Sequence, residues 1–138
     1  MPSLWMISWR EYEIAVDKLA AQIPKGKYEY VYGIPRGGLL PAVMLSHRLG
    51  LPLFDEQILS YETNTLIVDV IVDTGKTMKE YCEWDIAVVY KRYNCPLEPT
   101  YVGEVFERDS WLVFPYEVAA KEDERAKEAQ SRNCVEAN

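Results

Sequence analysis

The chain has 138 residues, 49% hydrophobic and 27% charged, an ordinary globular composition with length for one core and too little for two. Its net charge of −7 excludes broad nucleic-acid binding, which needs many phosphates neutralised at once, and no apolar run approaches the roughly 18–20 residues of a membrane span. Cys82, Cys95 and Cys134 are odd in number and lack CxxC or Cys/His spacing, which argues against a zinc site or a disulfide framework and for reduced thiols.

The opening MPSLWMISWRE has no basic segment ahead of an apolar stretch, so no signal peptide is expected and the expected location is cytoplasmic. Ser8 followed by Glu11 has capping-box spacing, and Tyr12, Val16, Leu19, Ala20 and Ile23 recur at helical intervals. This predicts an amphipathic helix over 8–23, stopped by Pro24 and Gly26. Tyr30 to Ile34 is a short run of β-formers and reads as a strand. The Gly-rich turn PRGGLLP follows, then a helix over Ala42 to Leu49 closed by Gly50. Leu53–Phe54 and Ile58–Ser60 read as short strands. Leu66 to Val72 is nearly all apolar or β-branched, as in a strand buried on both faces of a parallel sheet. A short helix is predicted over Lys76 to Glu83, then strands over Ile86 to Tyr90, Tyr101 to Phe106 and Trp111 to Phe114. Residues 117–138, rich in Glu, Lys, Arg and Ala, read as a charged, solvated helix or tail. Strands alternating with helices predict one α/β domain over 1–138, with a mostly parallel central sheet flanked by helices.

The stretch LIVDVIVDTGKTM ends in Gly75-Lys76-Thr77, the ending of a nucleotide P-loop. A P-loop needs a glycine five residues before Gly75, and that position is Val70, so the motif fails. What remains is a buried strand carrying Asp69, ending in Asp73, and turning through Thr74-Gly75-Lys76-Thr77 into a helix. Successive N–H groups at such a turn suit a phosphate, and the acids ahead of it suit ribose hydroxyls or a magnesium ion. The stretch fits a ligand joining a sugar to a terminal phosphate.

IVDVIVDTGKT resembles the phosphoribosyl-pyrophosphate (PRPP) loop of the type I phosphoribosyltransferases. YGIPRGGLLPAVMLSHRLGLPL resembles their pyrophosphate loop and the helix behind it, and DSWLVFPYE resembles the base-binding segment of the xanthine-guanine and hypoxanthine branch. The resemblance runs from about Tyr30 to Glu117. It departs at Val70, where the family has a second acid, and at Ser60–Asn64, where the family's long hood loop is much shortened.

The resemblance implies that phosphoribose moves from PRPP to a ring nitrogen of a 6-oxopurine such as guanine, hypoxanthine or xanthine, with Mg²⁺ as cofactor. Arg36, Gly37 and Gly38 would hold the pyrophosphate, with a cis peptide expected after Arg36. Asp69 would bind the ribose hydroxyls and meet the metal only through the bound ligand. Asp73 would be the general base. Asp73, Thr74, Gly75, Lys76 and Thr77 would surround the 5-phosphate, with Lys76 at the variable position. Lys91 would donate to the 6-oxygen, or else reach water from its strand end. Trp111 would stack on the base, Leu112 would read its edge through the backbone, and Glu117 would accept from a 2-amino group. His47 is read as structural. Homodimers or homotetramers are the family's usual assemblies. Val70 and the shortened hood leave an alternative open, a weakly active or inactive PRPP- or nucleotide-binding regulatory protein of the same fold; the segment from Asp109 to Glu117 favours the enzyme.

Overall fold

The computed structural model describes residues 4–53, 64–72, 75–107 and 110–117. Its elements in chain order are β1 (Leu4–Met6), α1 (Trp9–Gln22), β2 (Tyr30–Gly33), α2 (Leu39–Leu49), β3 (Thr65–Val72), α3 (Lys76–Glu80), β4 (Asp85–Arg92), β5 (Tyr101–Phe106) and β6 (Trp111–Val113). The main sheet has the order β2-β3-β4-β5 and every neighbouring pair is parallel, as the apolar runs imply.

The α1 capping box forms as expected. The Glu11 N–H donates to Ser8 Oγ at 3.0 Å, and the Ser8 N–H donates to Glu11 Oε1 at 2.9 Å. These bonds hold the Glu11 carboxyl below its ordinary value, the Ser8 backbone N–H contributing most. The helix buries Tyr12, Ala15, Val16 and Leu19 against the sheet. It comes so close to β5 that a Cβ at Gly103 would meet the Ala15 carbonyl oxygen at 2.6 Å.

Helix α2 begins at Leu39, three residues before the predicted Ala42, and so contains Pro41. A proline is harmless in a first turn, whose N–H groups have no helical acceptor. Gly50 closes it in the left-handed region, φ 68°. Helix α3 is shorter than expected and ends at Glu80, a turn covering 81–83. Leu53 makes a single parallel bridge to Val31; Phe54, Ile58–Ser60 and the predicted helix beyond Glu117 lie outside the described residues. Strand β1, which no sequence pattern announced, pairs in parallel with β6 in the register Leu4↔Trp111, Trp5↔Leu112 and Met6↔Val113.

The sheet is buried on both faces. Leu66, Val68, Ala87 and Tyr101 meet α1 and α2 on one side, while Ile67, Ile86 and Val88 meet Tyr32, Cys95 and Met78 on the other. The alternation breaks toward the carboxyl ends. Val70 and Ile71 touch the same core, as do Val89 and Tyr90, so Val72 joins the α3 side. Among the described residues no helix is long and apolar enough to cross a membrane.

Candidate functional site at the carboxyl ends of β2, β3 and β4

Parallel strands end together, so the segments leaving β2, β3 and β4 emerge on one edge, where open α/β sheets bind ligands. After β2 the chain turns through Ile34-Pro35-Arg36-Gly37-Gly38. The Ile34 N–H donates to the Val68 carbonyl of β3 at 2.9 Å, and the Gly38 N–H donates back to Ile34 O at 2.8 Å. The Pro35–Arg36 peptide is cis, one bond earlier than the expected position after Arg36.

A Cβ on Gly38 would lie 2.3 Å from Val68 O and 2.7 Å from both Ile34 N and Ile34 O. Backbone surrounds it, so glycine is a packing necessity there, and its N–H is already committed to Ile34. A Cβ on Gly37 would lie 2.9 Å from Val70 Cγ1 and 4.0 Å from Asp69 Oδ1. The turn therefore lies directly on the end of β3, and Gly37 faces Asp69 although the two are distant in sequence.

Asp69 is partly buried, and its Oδ1 accepts from the Val70 N–H at 2.8 Å. Val70 is 6% exposed and belongs to the core beneath α1 and α2. Its side chain serves packing where the family resemblance would have an acid. Asp73 and Thr74 lie outside the described residues, as does the Thr77 side chain. Gly75 has φ 86°, a conformation that favours glycine. A Cβ there would meet Leu97 Cδ1, so the chain after β4 leans over the turn into α3. Lys76 is exposed and reaches Glu80 one helical turn on at 3.9 Å, in keeping with its solvated reading.

Lys91 does not reach out to water. It is 5% exposed, in register with Val72 of β3 and Val105 of β5, and its Nζ lies 2.7 Å from Glu98 Oε1. Sequence reasoning missed Glu98, an acid in an irregular connection with no motif around it.

Two contacts dock the segment carrying Trp111, Leu112 and Glu117 beside the end of β4. Arg92 Nη2 donates to Ser110 O at 3.3 Å, and the Tyr90 and Phe114 rings lie 5.7 Å apart. Trp111 is half-buried and Leu112 buried, both in β6. Glu117 clamps the turn that follows, its Oε1 accepting from the Phe114 N–H at 2.8 Å and its own N–H donating to Phe114 O at 2.9 Å. Beneath lies an aromatic cluster that the sequence did not reveal as a unit. Tyr12 contacts Phe114 edge-on, and Phe114 stacks on Tyr116 with centroids 5.8 Å apart. Burial, assisted by Tyr116, pushes the Tyr12 hydroxyl far up; burial, assisted by Glu104, does the same for Tyr90. Both phenols stay neutral. His47 is exposed in the last turn of α2, away from this edge.

Among the described residues no cluster of three or more His, Cys, Asp or Glu side chains could cage a metal. Asp69 offers one carboxylate beside the glycine turn, which fits a hard cation arriving with its own oxygen-rich ligand and not one held by protein alone.

No protein-family model matches the chain. The xanthine-guanine phosphoribosyltransferase of Cereibacter sphaeroides is 31% identical over 145 residues, spanning 82% of this chain and 86% of that enzyme. The crystal structure of a purine phosphoribosyltransferase from Pyrococcus horikoshii superposes with a TM-score of 0.70 at 27% identity, covering 83% of this chain and 95% of that one. The Helicobacter pylori xanthine-guanine-hypoxanthine phosphoribosyltransferase, at 16% identity, a TM-score of 0.63 and coverage of 88% and 99%, shares the fold.

Proposed function

The chain belongs to the type I phosphoribosyltransferases, on their purine branch, and from that premise we propose that it moves 5-phosphoribose from PRPP to a 6-oxopurine, releasing pyrophosphate. The observation that carries the reading is the seating of Gly37 against Asp69 at the end of β3, with Lys91 on the next strand. A diphosphate on the glycine turn and a ribose on Asp69 would be neighbours, as they are within PRPP.

Arg36 and the backbone about Gly37 would take the diphosphate, while Gly38 contributes by leaving room. Asp69 would accept from ribose hydroxyls. The turn 73–77 would hold the 5-phosphate, with Asp73 as general base. Lys91 would donate to the 6-oxygen and Trp111 would cover the face of the purine. Leu112 would offer its backbone to the base edge and Glu117 would accept from a 2-amino group. Magnesium carried by the diphosphate and ribose oxygens would supply positive charge opposite the leaving group, where stabilisation counts most. The chain's own part would be orientation, presenting the sugar carbon to the ring nitrogen.

The test is incubation with PRPP, magnesium and a panel of adenine, guanine, hypoxanthine, xanthine, orotate and uracil, with the nucleotides separated afterwards. Guanylate, inosinate or xanthylate is the expected product. Preference for adenine, orotate or uracil would overturn the base assignment. Binding of PRPP without any nucleotide product would instead mark a regulatory protein.

A further inference from the structure

The pairing of Lys91 with Glu98 has a consequence for base choice that rests on the function just proposed. The Lys91 side chain is 6% exposed and the Glu98 side chain 71%, with Nζ and Oε1 2.7 Å apart. The carboxylate therefore covers the ammonium from the solvent side. The backbone that carries it is anchored on both sides. Cys95 is buried and its N–H donates to Arg92 O at 3.1 Å, while Leu97 packs on the same core and Pro99 is buried. The residues in register with Lys91, Val72 and Val105, are uncharged, and Glu98 forms an ion pair with this cation.

We propose that Glu98 determines specificity by cancelling the charge of Lys91, so that the site favours neutral 6-oxopurines over a base that binds as an anion. An ammonium carries three N–H donors. One serves Glu98, and the others remain for a neutral carbonyl oxygen, which needs a hydrogen bond and no net charge. An anionic base would gain from the bare cation but meets a neutral pair. Xanthine loses a proton near neutral pH, whereas guanine and hypoxanthine keep theirs, so the pair works against xanthine. The carboxylate is exposed and partly screened, which limits the effect to about three- to tenfold in relative kcat/KM.

The experiment measures kcat/KM for xanthine and for guanine, with saturating PRPP, in wild type, Glu98→Gln and Glu98→Asp. Each protein is assayed at low and high ionic strength. Glu98→Gln is expected to raise the xanthine-to-guanine ratio about three- to tenfold at low salt, with KM for PRPP unchanged. Glu98→Asp is expected to keep a ratio near that of wild type. The shift should shrink at high salt, as screening requires and as a purely structural lesion would not. An unchanged ratio in Glu98→Gln, with wild type active on both bases, would overturn this inference and leave the proposed function standing. Absence of any 6-oxopurine nucleotide from wild type would overturn both.

Discussion

Gly37→Ala probes the contact on which the site is built. The new Cβ would lie 2.9 Å from Val70 Cγ1, nearer than carbon atoms tolerate, and 3.7 Å from Val70 Cβ. Gly37 is not among the glycines with positive φ, so alanine adds no backbone strain and the cost comes from contact alone. Val70 cannot swing aside freely, being β-branched and 6% exposed in the core. Overpacking of this kind costs about 1–3 kcal/mol. Val70→Ala removes the obstructing methyl groups and costs about 2 kcal/mol in lost burial and residual cavity. In the double variant the methyl introduced at position 37 enters the space Val70 vacates. The two costs should then fall short of additive by roughly 1–2 kcal/mol. Urea unfolding of the four proteins measures this, since two-state behaviour is common at this size. The same cycle should appear in KM for PRPP, raised in Gly37→Ala because the clash with Val70 pushes the turn off the end of β3 and partly restored in the double variant. Additivity within about 0.5 kcal/mol would refute the close seating of the turn on β3.

Asp69→Asn should weaken PRPP binding in calorimetry with magnesium; unchanged affinity would remove the sugar contact. Val70→Asp should fail to add a second contact, because it places an uncompensated carboxylate in the core, and its urea midpoint should report a loss of ~3 kcal/mol or more. Lys91→Ala should lose activity on every 6-oxopurine. Glu117→Ala should reduce guanine use most, and it should also cost about 1 kcal/mol of stability because the Phe114 N–H loses its acceptor. Ser8→Ala should cost about 1 kcal/mol by removing the α1 cap. Because the Ser8 backbone N–H, helped by the Ser8 hydroxyl, holds the Glu11 carboxyl below its ordinary value, that carboxylate contributes stability above the unfolded glutamate value. The contribution is lost as pH falls through the lower folded value. Wild type should therefore lose more of its urea midpoint between pH 7 and pH 3 than Glu11→Gln, which has no carboxyl to titrate there, and equal losses would contradict the assignment.

The elements legible in the chain were those set by near neighbours. The α1 cap depends on two residues three apart, the end of α2 on one left-handed glycine, and β3 and β4 on largely apolar runs. The P-loop could be rejected on Val70 alone, and motifs along the chain carried the family resemblance. Boundaries drifted where local rules permit more than one answer, as in the first turn of α2, which accepts Pro41. Other features waited for the tertiary structure. No pattern in Leu4–Met6 says that it will pair with Trp111–Val113, because three residues carry too little periodicity and their partner lies at the other end of the described chain. Val70 could be read as a missing acid until its place in the core gave it a packing role. Gly38 could be read as a phosphate donor until its N–H was found on Ile34. Glu98 had no reading until the connection after β4 brought it to Lys91. Each of these depends on which strands lie side by side and on how the segments leaving them return, and long-range packing decides that where capping, dihedral preference and periodicity have no reach.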